Sequence, residues 1–213
     1  MQLYEKYRPE TARDLVGHAR AKRALVTLIK RDDFDRGAFL LSGPSGIGKT
    51  SLALMIAKGL CGAVDMDITE IDGADCGFDR VKELENHIAY GAWGPSGWKA
   101  FIVNECHSMT PKAVQAWLTL LERLPARRLV FFTTTKPNSN LFGEFAGPFA
   151  SRCYCLALET ADCLEPMAER AREIATIEGL NGKAIEAYRG LVKDCQCNFR
   201  EVLNRIEMGV MLL

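Results

Sequence analysis

The stretch FLLSGPSGIGKTSLALMIAKGL, residues 39–60, decides the fold of this chain. It runs from an apolar segment through a glycine-rich one into an apolar helical pattern. Residues 43–50 match the pattern G-x-x-x-x-G-K-[ST], and the strand and helix predicted on either side are the context that this motif requires. The glycines of such a loop let successive backbone N–H groups point at phosphate oxygens. A glycine-rich turn that matches by chance is the alternative, and the flanking strand and helix argue against it.

The motif assigns a role to each residue of the loop and the start of the helix. The positive end of the helix dipole adds to the attraction for phosphate. We expect the Lys49 ammonium to contact the β- and γ-phosphates and the Thr50 hydroxyl to bind Mg²⁺. ATP and Mg²⁺ are therefore the predicted cofactors. The residues predicted to bind the nucleotide here are Gly43, Pro44, Ser45, Gly46, Ile47, Gly48, Lys49, Thr50 and Ser51.

Short apolar runs alternate with helical patterns along the first three quarters of the chain. This alternation is typical of a parallel sheet built from βαβ units, and we predict five strands at residues 39–42, 68–71, 100–104, 129–134 and 153–158. Three helices are predicted after them, at residues 162–178, 182–194 and 198–213. The predicted fold is α/β, with a P-loop ATPase core over residues 1–158 and a small three-helix lid domain over residues 159–213.

The clearest helix start lies at Thr110. Threonine is a good N-cap residue, and Pro111 occupies the first helical position, where its missing N–H group costs nothing. Pro125 is predicted to end this helix.

The composition and charge of the chain are typical of a globular protein. The hydrophobic share is 48% and the charged share 25%. The 27 basic and 27 acidic residues balance, which argues against a protein that coats nucleic acid over its whole surface. It does not argue against a local row of basic residues. No run approaches the roughly 18 apolar residues of a membrane span, and the chain starts with charges and a proline, so we expect a cytoplasmic location.

The eight cysteines form no CxxC pair. We interpret them as reduced thiols that serve as small apolar residues. Metal binding by the two CxC pairs, at residues 153–155 and 195–197, is the alternative.

A second strand carries the candidate catalytic carboxylate. The segment KAFIVNECHSMT, residues 99–110, ends an apolar run directly in Asn104 and Glu105. Parallel α/β folds bind their ligands at the carboxyl ends of the strands, and ATP hydrolysis needs a group that polarises the attacking water. Glu105 is therefore the predicted catalytic base, with an incidental surface glutamate as the alternative.

The same segment resembles the Walker B strand of AAA+ ATPases, in particular clamp-loader subunits of the bacterial DNA polymerase III tau/gamma and replication factor C small-subunit types. Their pattern is an apolar run followed by Asp-Glu, and Asn104 stands here in place of the aspartate. The resemblance implies that Asn104 contacts Mg²⁺ through a water molecule. The lost negative charge is expected to weaken the metal site.

The amino-terminal segment YEKYRPETARDLVGHARAKRAL, residues 4–25, resembles the part of these ATPases that lies over the adenine. This resemblance implies adenine-side roles for Tyr7, Arg8, Pro9 and Val16. An amphipathic helix with a basic patch is the alternative.

Three further segments resemble clamp-loader motifs. LVFFTTTKP, residues 129–137, matches the strand that bears the γ-phosphate sensor, which implies that role for Thr135. FASRCYCL, residues 149–156, implies that Arg152 is an arginine finger acting on a neighbouring subunit's nucleotide, although an arginine in this place is otherwise a surface ion-pair residue. CNFREVLNRIE, residues 197–207, implies that Arg200 is a second sensor in the lid, with Cys197 in place of the usual glycine.

Two features of the resembling families are missing. Only Cys61 and Cys76 lie between the phosphate loop and the Walker B strand, so no four-cysteine zinc module is expected. The chain ends after the lid without a collar domain, which leaves open whether it is a fragment or assembles by another route.

The resemblance implies work on DNA within an assembly of AAA+ subunits. Arg80, Lys82 and Lys112 are candidate contacts to DNA phosphates, and a solvated helix face explains them equally well. We predict an ATPase that acts in DNA replication or repair on a sliding clamp and primer–template DNA. The alternatives are a nucleotide-dependent binding switch with little hydrolysis, and another AAA+ activity such as helicase loading.

Overall fold

Five parallel strands form one sheet, as predicted. A computed structural model describes residues 1–9, 14–137 and 141–212. The strands are β1 (Arg36–Ser42), β2 (Ile68–Asp72), β3 (Lys99–Asn104), β4 (Arg128–Thr134) and β5 (Tyr154–Ala157). Their order in the sheet is β2-β3-β4-β1-β5, and every recorded pairing is parallel.

The helices fill the segments between and after the strands. They are α1 (Leu3–Lys6), α2 (Ala19–Ile29), α3 (Lys49–Leu54), α4 (Phe78–Ala89), α5 (Pro111–Glu122), α6 (Ala146–Ala150), α7 (Leu164–Ile177), α8 (Ile185–Asp194) and α9 (Phe199–Glu207). A π-helical segment, Met55–Leu60, continues α3. Within the three described ranges, no helix is long and apolar enough to cross a membrane.

Helices cover both faces of the sheet. Phe39 and Leu41 of β1 point into a core shared with α2, α3 and α7 to α9, whereas Leu40 points into a second core shared with α4, α5 and α6. Because neighbouring residues of a strand face opposite sides, strands buried on both faces lose the alternation of apolar and polar residues. This explains the nearly continuous apolar runs in the sequence.

The strand order determines which loops meet. β4 lies between β1 and β3, so the segments that follow these three strands are neighbours at one edge of the sheet. These segments contain the predicted phosphate loop, the pair Asn104 and Glu105, and Thr135.

The start of α5 agrees with its predicted cap. Thr110 Oγ1 accepts a hydrogen bond from the backbone N–H of Ala113 at 3.3 Å, and Pro111 is the first helical residue. The aromatic side chain of Trp117 on this helix is fully buried.

The three predicted helices after β5 are present, but several of their limits differ, and α8 begins at Ile185 rather than at residue 182. α7 begins at Leu164 because residues 161–163 form a turn. α9 ends at Glu207 rather than at residue 213, and Gly209 follows with a φ of 82°. A glycine in this left-handed conformation commonly ends a helix. The apolar sides of these helices join the same core as β1 and α3.

Candidate nucleotide-binding site

The loop between β1 and α3 has the backbone conformation that a phosphate cradle needs. Gly46 and Gly48 have φ values of 69° and 105°, which favour glycine strongly. A Cβ atom at Gly46 would lie 1.7 Å from Oδ1 of Asn198, the N-cap residue of α9, so the close approach of this helix also favours glycine there. The backbone N–H of Phe199, at the start of α9, donates to Gly46 O at 3.1 Å. The loop therefore contacts the carboxyl-terminal helices directly.

Lys49 is the first residue of α3, directly after this loop, and its side chain is largely removed from solvent. Its side chain is buried, and Nζ donates to the carbonyl oxygens of Gly43 and Pro44 at 2.9 and 2.8 Å. Burial lowers the pKa of Lys49, and the nearby Glu105 carboxylate acts in the opposite direction. A nearby anionic ligand stabilises the charged form of a buried lysine, because the opposite charge offsets the cost of burial. The surroundings of Lys49 thus fit a phosphate group.

Thr50 and Asn104, the two predicted magnesium residues, are in contact. Thr50 Oγ1 donates to Asn104 Oδ1 at 2.7 Å, and Thr133 Oγ1 donates to the same oxygen at 3.2 Å. Hydroxyl and amide oxygens belong to the oxygen ligands that Mg²⁺ uses, often through water. These two side chains fit the metal, although neither carries a negative charge.

Glu105 lies next to the predicted sensor. It has a φ of 47°, which turns the chain sharply at the end of β3, and its N–H donates to Thr133 Oγ1 at 3.3 Å. Thr135 Oγ1 donates to Glu105 Oε2 at 3.3 Å, and His107 Nδ1 lies 3.4 Å from the same oxygen. The carboxylate is partly exposed, so water can reach it. Glu105 and Thr135 are thus brought together as a pair.

One cavity of about 690 Å³ joins these groups to the amino-terminal segment and the last helix. Its size lies in the ordinary range of ligand pockets. Arg200 reaches it from α9, with its guanidinium carbon 5.3 Å from the centre of the Tyr4 ring. The predicted site residues that line it are Tyr7, Arg8, Pro9, Val16, Ser45, Gly46, Ile47, Gly48, Lys49, Thr50, Ser51, Asn104, Glu105 and Arg200.

The amino-terminal residues are held at the cavity by ion pairs and hydrogen bonds. The Tyr7 hydroxyl donates to Glu178 at the end of α7, and Lys6 Nζ donates to the same carboxylate at 2.7 Å. Arg8 Nη2 donates to Glu70 Oε2 at 3.0 Å. The segment therefore links the carboxyl-terminal helices to β2 along the rim of the cavity.

Arg152 lies outside the cavity of its own chain. Its Nε donates to Glu122 Oε1 at 3.1 Å and its Nη1 to Pro148 O at 2.7 Å. The hydrogen bond to the arginine lowers the pKa of Glu122. Both side chains are substantially exposed, so this ion pair contributes little to stability.

Residues 39–152, more than half of the chain, match the ATPase family associated with various cellular activities (AAA). The chain belongs to this family.

The relatives of this AAA chain include clamp-loader subunits, which confirms the resemblance predicted from the sequence. The chain is 31% identical over 164 residues to DNA polymerase III subunit gamma/tau of Mycobacterium tuberculosis strain H37Rv, which covers 66% of the chain and 28% of the relative. It is 28% identical over 206 residues to the replication factor C small subunit of Halobacterium salinarum, covering 95% of the chain and 61% of the relative. The chain thus spans little more than a quarter of the gamma/tau relative.

Solved structures show the same fold. The Holliday junction branch migration motor RuvB of Thermotoga maritima superposes with a TM-score of 0.74 at 18% identity, over 94% of this chain and 64% of that one. A DNA polymerase III gamma subunit-related protein of Thermotoga maritima gives 0.58 at 16% identity, over 86% of this chain and 70% of that one. At these identities the likeness concerns the fold of the AAA domain alone.

Sequence reasoning missed three polar residues of the AAA site. Thr133 contacts Asn104 and Glu105, and Glu70 and Asp72 of β2 line the cavity. The signal for Thr133 lies in the sheet register, since Val103 pairs with Phe132 and the next residues are Asn104 and Thr133. This register can be read only when the strand order is known, and no local sequence pattern gives that order.

His18 is a fourth missed residue and contacts the phosphate loop. It is buried, has a φ of 55°, and its Nε2 lies 2.8 Å from Ile47 O. Cys163 Sγ lies 3.7 Å from Nδ1, and Asp162 and Lys22 are the charged groups that influence the ring. Burial lowers the pKa of His18. The neutral ring therefore joins the loop to the start of α7.

We expect this histidine to make folding stability depend on pH. A histidine whose pKa is lowered by folding costs no stability above its unfolded pKa of about 6.5, and it destabilises the protein as the pH falls below that value. His18→Gln keeps an N–H donor for Ile47 O but has no proton to gain. Urea unfolding at pH 7.5 and 5.5 should show a shallower pH dependence for the variant, by at most about 1.4 kcal/mol per pH unit. Equal slopes in the two proteins would contradict this role.

The three candidate DNA contacts lie on the surface of α4 and α5. Arg80 pairs with Glu83 at 2.6 Å and Lys82 with Glu85 at 2.8 Å, each three residues along α4, whereas Lys112 is exposed in the first turn of α5. Pairs of this kind are typical of a solvated helix face. DNA binding by these residues stays a prediction.

All eight cysteines are free thiols. Burial raises the pKa of Cys61, Cys153 and Cys163 to about 12, which agrees with their interpretation as apolar residues. Among the described residues, neither CxC pair belongs to a group of three or more potential metal ligands, and metal binding by these pairs stays an alternative.

Proposed function

We propose that this chain binds and hydrolyses ATP as one subunit of a clamp-loader-like assembly acting in DNA replication or repair. One observation carries the proposal. The Lys49 ammonium, the pair Thr50 and Asn104, and the Glu105 carboxylate line one cavity between the phosphate loop and the last helix. That set supplies phosphate binding, metal ligands and a general base in one place.

The residues fit ATP with Mg²⁺. Lys49 and the loop N–H groups would bind the phosphates, and the hydroxyl of Thr50 and the amide oxygen of Asn104 would hold the metal. Bound Mg²⁺ neutralises phosphate charge, which lowers the repulsion that an attacking water meets. Tyr7, Arg8, Pro9 and Val16 would enclose the adenine, since they line the same cavity.

Hydrolysis would depend on the pair at the ends of β3 and β4. Glu105 takes the proton of the attacking water as general base, and Thr135 keeps the carboxylate oriented through its hydrogen bond. Because Glu105 is partly exposed, the site is incomplete until something excludes bulk water. A neighbouring subunit that brings its own Arg152 would do this and add positive charge at the γ-phosphate.

We also propose that residues 159–213 act as a lid on the core formed by residues 1–158. α9 carries Arg200 into the cavity, and Phe199 and Asn198 contact the phosphate loop at Gly46. A change in the nucleotide phosphates would thereby be transmitted to the helices of residues 159–213. Other AAA+ subunits, a sliding clamp and primer–template DNA are the proposed partners.

A second candidate function is a nucleotide-dependent binding switch with little hydrolysis. It is favoured by one observation, namely the uncharged Asn104 at the metal position. Helicase loading is a third hypothesis. The structural likeness to RuvB does not bear on it, because that likeness concerns only the fold. Steady-state ATP turnover with and without primer–template DNA separates the first two, because tight ATP binding without turnover would contradict the enzyme and support the switch.

We expect Lys49→Ala to lower the affinity for ATP strongly. Removing a buried charged partner of a phosphate costs about 2–5 kcal/mol, which corresponds to a roughly 30- to 4,000-fold loss of affinity. Titration with a fluorescent ATP analogue measures the change. Lys193→Ala, at an exposed lysine of α8, is the matched control and should bind like the parent chain. Unaltered affinity in Lys49→Ala would refute the phosphate cradle.

A further inference from the structure

Asn104 lies between the phosphate-loop helix and a carboxylate of the neighbouring strand. Its Oδ1 accepts hydrogen bonds from Thr50 at 2.7 Å and from Thr133 at 3.2 Å. Its Nδ2 faces Glu70 Oε2 at 3.5 Å, a distance at the outer limit of a hydrogen bond. The amide thus has two donors on its oxygen side and a carboxylate on its nitrogen side.

The sheet register places Glu70 there. β2 pairs with β3 so that Glu70 lies opposite Ile102, two residues before Asn104. Residues two apart in a strand share a face, so Glu70 and Asn104 both lie on the face that Ile102 shares with α3. The carboxylate therefore reaches the site from a regular strand rather than from a loop.

The charge of Glu70 matters because position 104 has none. An amide oxygen binds a metal or its water, but it adds no negative charge to balance the cation. Glu70 lines the cavity that contains Thr50 and Asn104, and its side chain is about one-third exposed. The same Oε2 also accepts a hydrogen bond from Arg8 Nη2 at 3.0 Å, so one carboxylate oxygen faces both Arg8 and the Asn104 amide.

We propose that Glu70 is a positioning residue for the Mg²⁺ of this site and compensates for the asparagine at position 104. It keeps the Nδ2 group of Asn104 turned toward β2, so that Oδ1 faces Thr50 and the metal. It also supplies from β2 the negative charge that an aspartate at position 104 would supply from β3. This inference rests on the proposed binding of ATP with Mg²⁺.

The first test measures metal affinity rather than turnover. Mn²⁺ binding to the ATP-bound chain is followed by electron paramagnetic resonance. Because second-shell partners of metal ligands are typically worth 10- to 100-fold, Glu70→Gln should weaken Mn²⁺ binding by about that factor. Glu83→Gln is the control, since Glu83 is an exposed glutamate of α4 that lies outside the cavity. An equal loss in both variants, or no loss in Glu70→Gln, would overturn the proposal.

A double-mutant cycle tests the compensation itself. Asn104→Asp restores a carboxylate at the metal position, so adding Glu70→Gln in that background should leave Mn²⁺ affinity unchanged or raise it. Losses of the same size in both backgrounds would contradict the proposal.

Binding of ATP by the parent chain separates this inference from the proposed function. If the parent chain fails to bind ATP both in Mg²⁺ and in a chelator, the proposed function fails. If it binds ATP and Mn²⁺ normally and Glu70→Gln has no effect, only the inference about Glu70 fails. Thermal unfolding of each variant confirms that the nearly isosteric changes leave the fold intact.

Discussion

ATP turnover should fall by about 10²–10⁴-fold when Glu105 is replaced by glutamine, whereas ATP affinity should change little. Glutamine has nearly the same shape and still accepts the hydrogen bond from Thr135, but it cannot take a proton from water. Turnover is measured at saturating ATP in the presence of primer–template DNA, and affinity by titration of the same preparation. Glu83→Gln, at an exposed glutamate of α4, should leave both quantities unchanged.

The outcome for Glu105 also separates the two leading functions. A parent chain with measurable turnover that Glu105→Gln removes is expected of the enzyme. If the variant retained the turnover of the parent chain, another group would have to act as the base. In that case the pairing of Glu105 with Thr135 would be only a turn-stabilising contact.

Arg152→Ala should lower turnover of the assembled protein by about 10³–10⁵-fold, as expected for an arginine finger, with unchanged ATP affinity of the isolated chain. The physical reason is its location: Arg152 pairs with Glu122 outside its own cavity, so it has no part in holding that chain's nucleotide. Turnover is measured over a range of protein concentrations, because a residue acting on a neighbour works only in the assembly.

Two companion experiments sharpen the prediction for Arg152. Where the chain assembles with itself, mixing Arg152→Ala with Lys49→Ala should restore part of the turnover, since one variant supplies the nucleotide and the other the arginine. Glu122→Gln removes the charge that holds Arg152 on its own surface, and we expect turnover at least as high as in the parent chain. Loss of ATP binding by the isolated Arg152→Ala chain would show that Arg152 acts on its own nucleotide.

Local patterns in the sequence were sufficient for several parts of the protein. The phosphate loop was predictable because its motif is contiguous and its glycines meet a backbone requirement that other residues meet at a cost. The cap at Thr110 and the helix after it were predictable because a helix start depends on four or five neighbouring residues. The central strands β1, β3 and β4 were recognisable by their apolar runs, since burial on both faces leaves a continuous pattern.

The tertiary structure alone decided which of these parts meet. The order β2-β3-β4-β1-β5 brings Thr133 beside Asn104 and Glu70 within reach of the same amide, and no local pattern encodes a strand order. Contacts of His18 with Ile47, and of Arg152 with Glu122, join residues about 30 positions apart. Local preferences act over a few residues, whereas such contacts arise only when the sheet and its two cores have formed. The sequence therefore determined the elements, the phosphate loop and most of the site residues, and packing determined which further residues, Thr133, Glu70 and His18, join them.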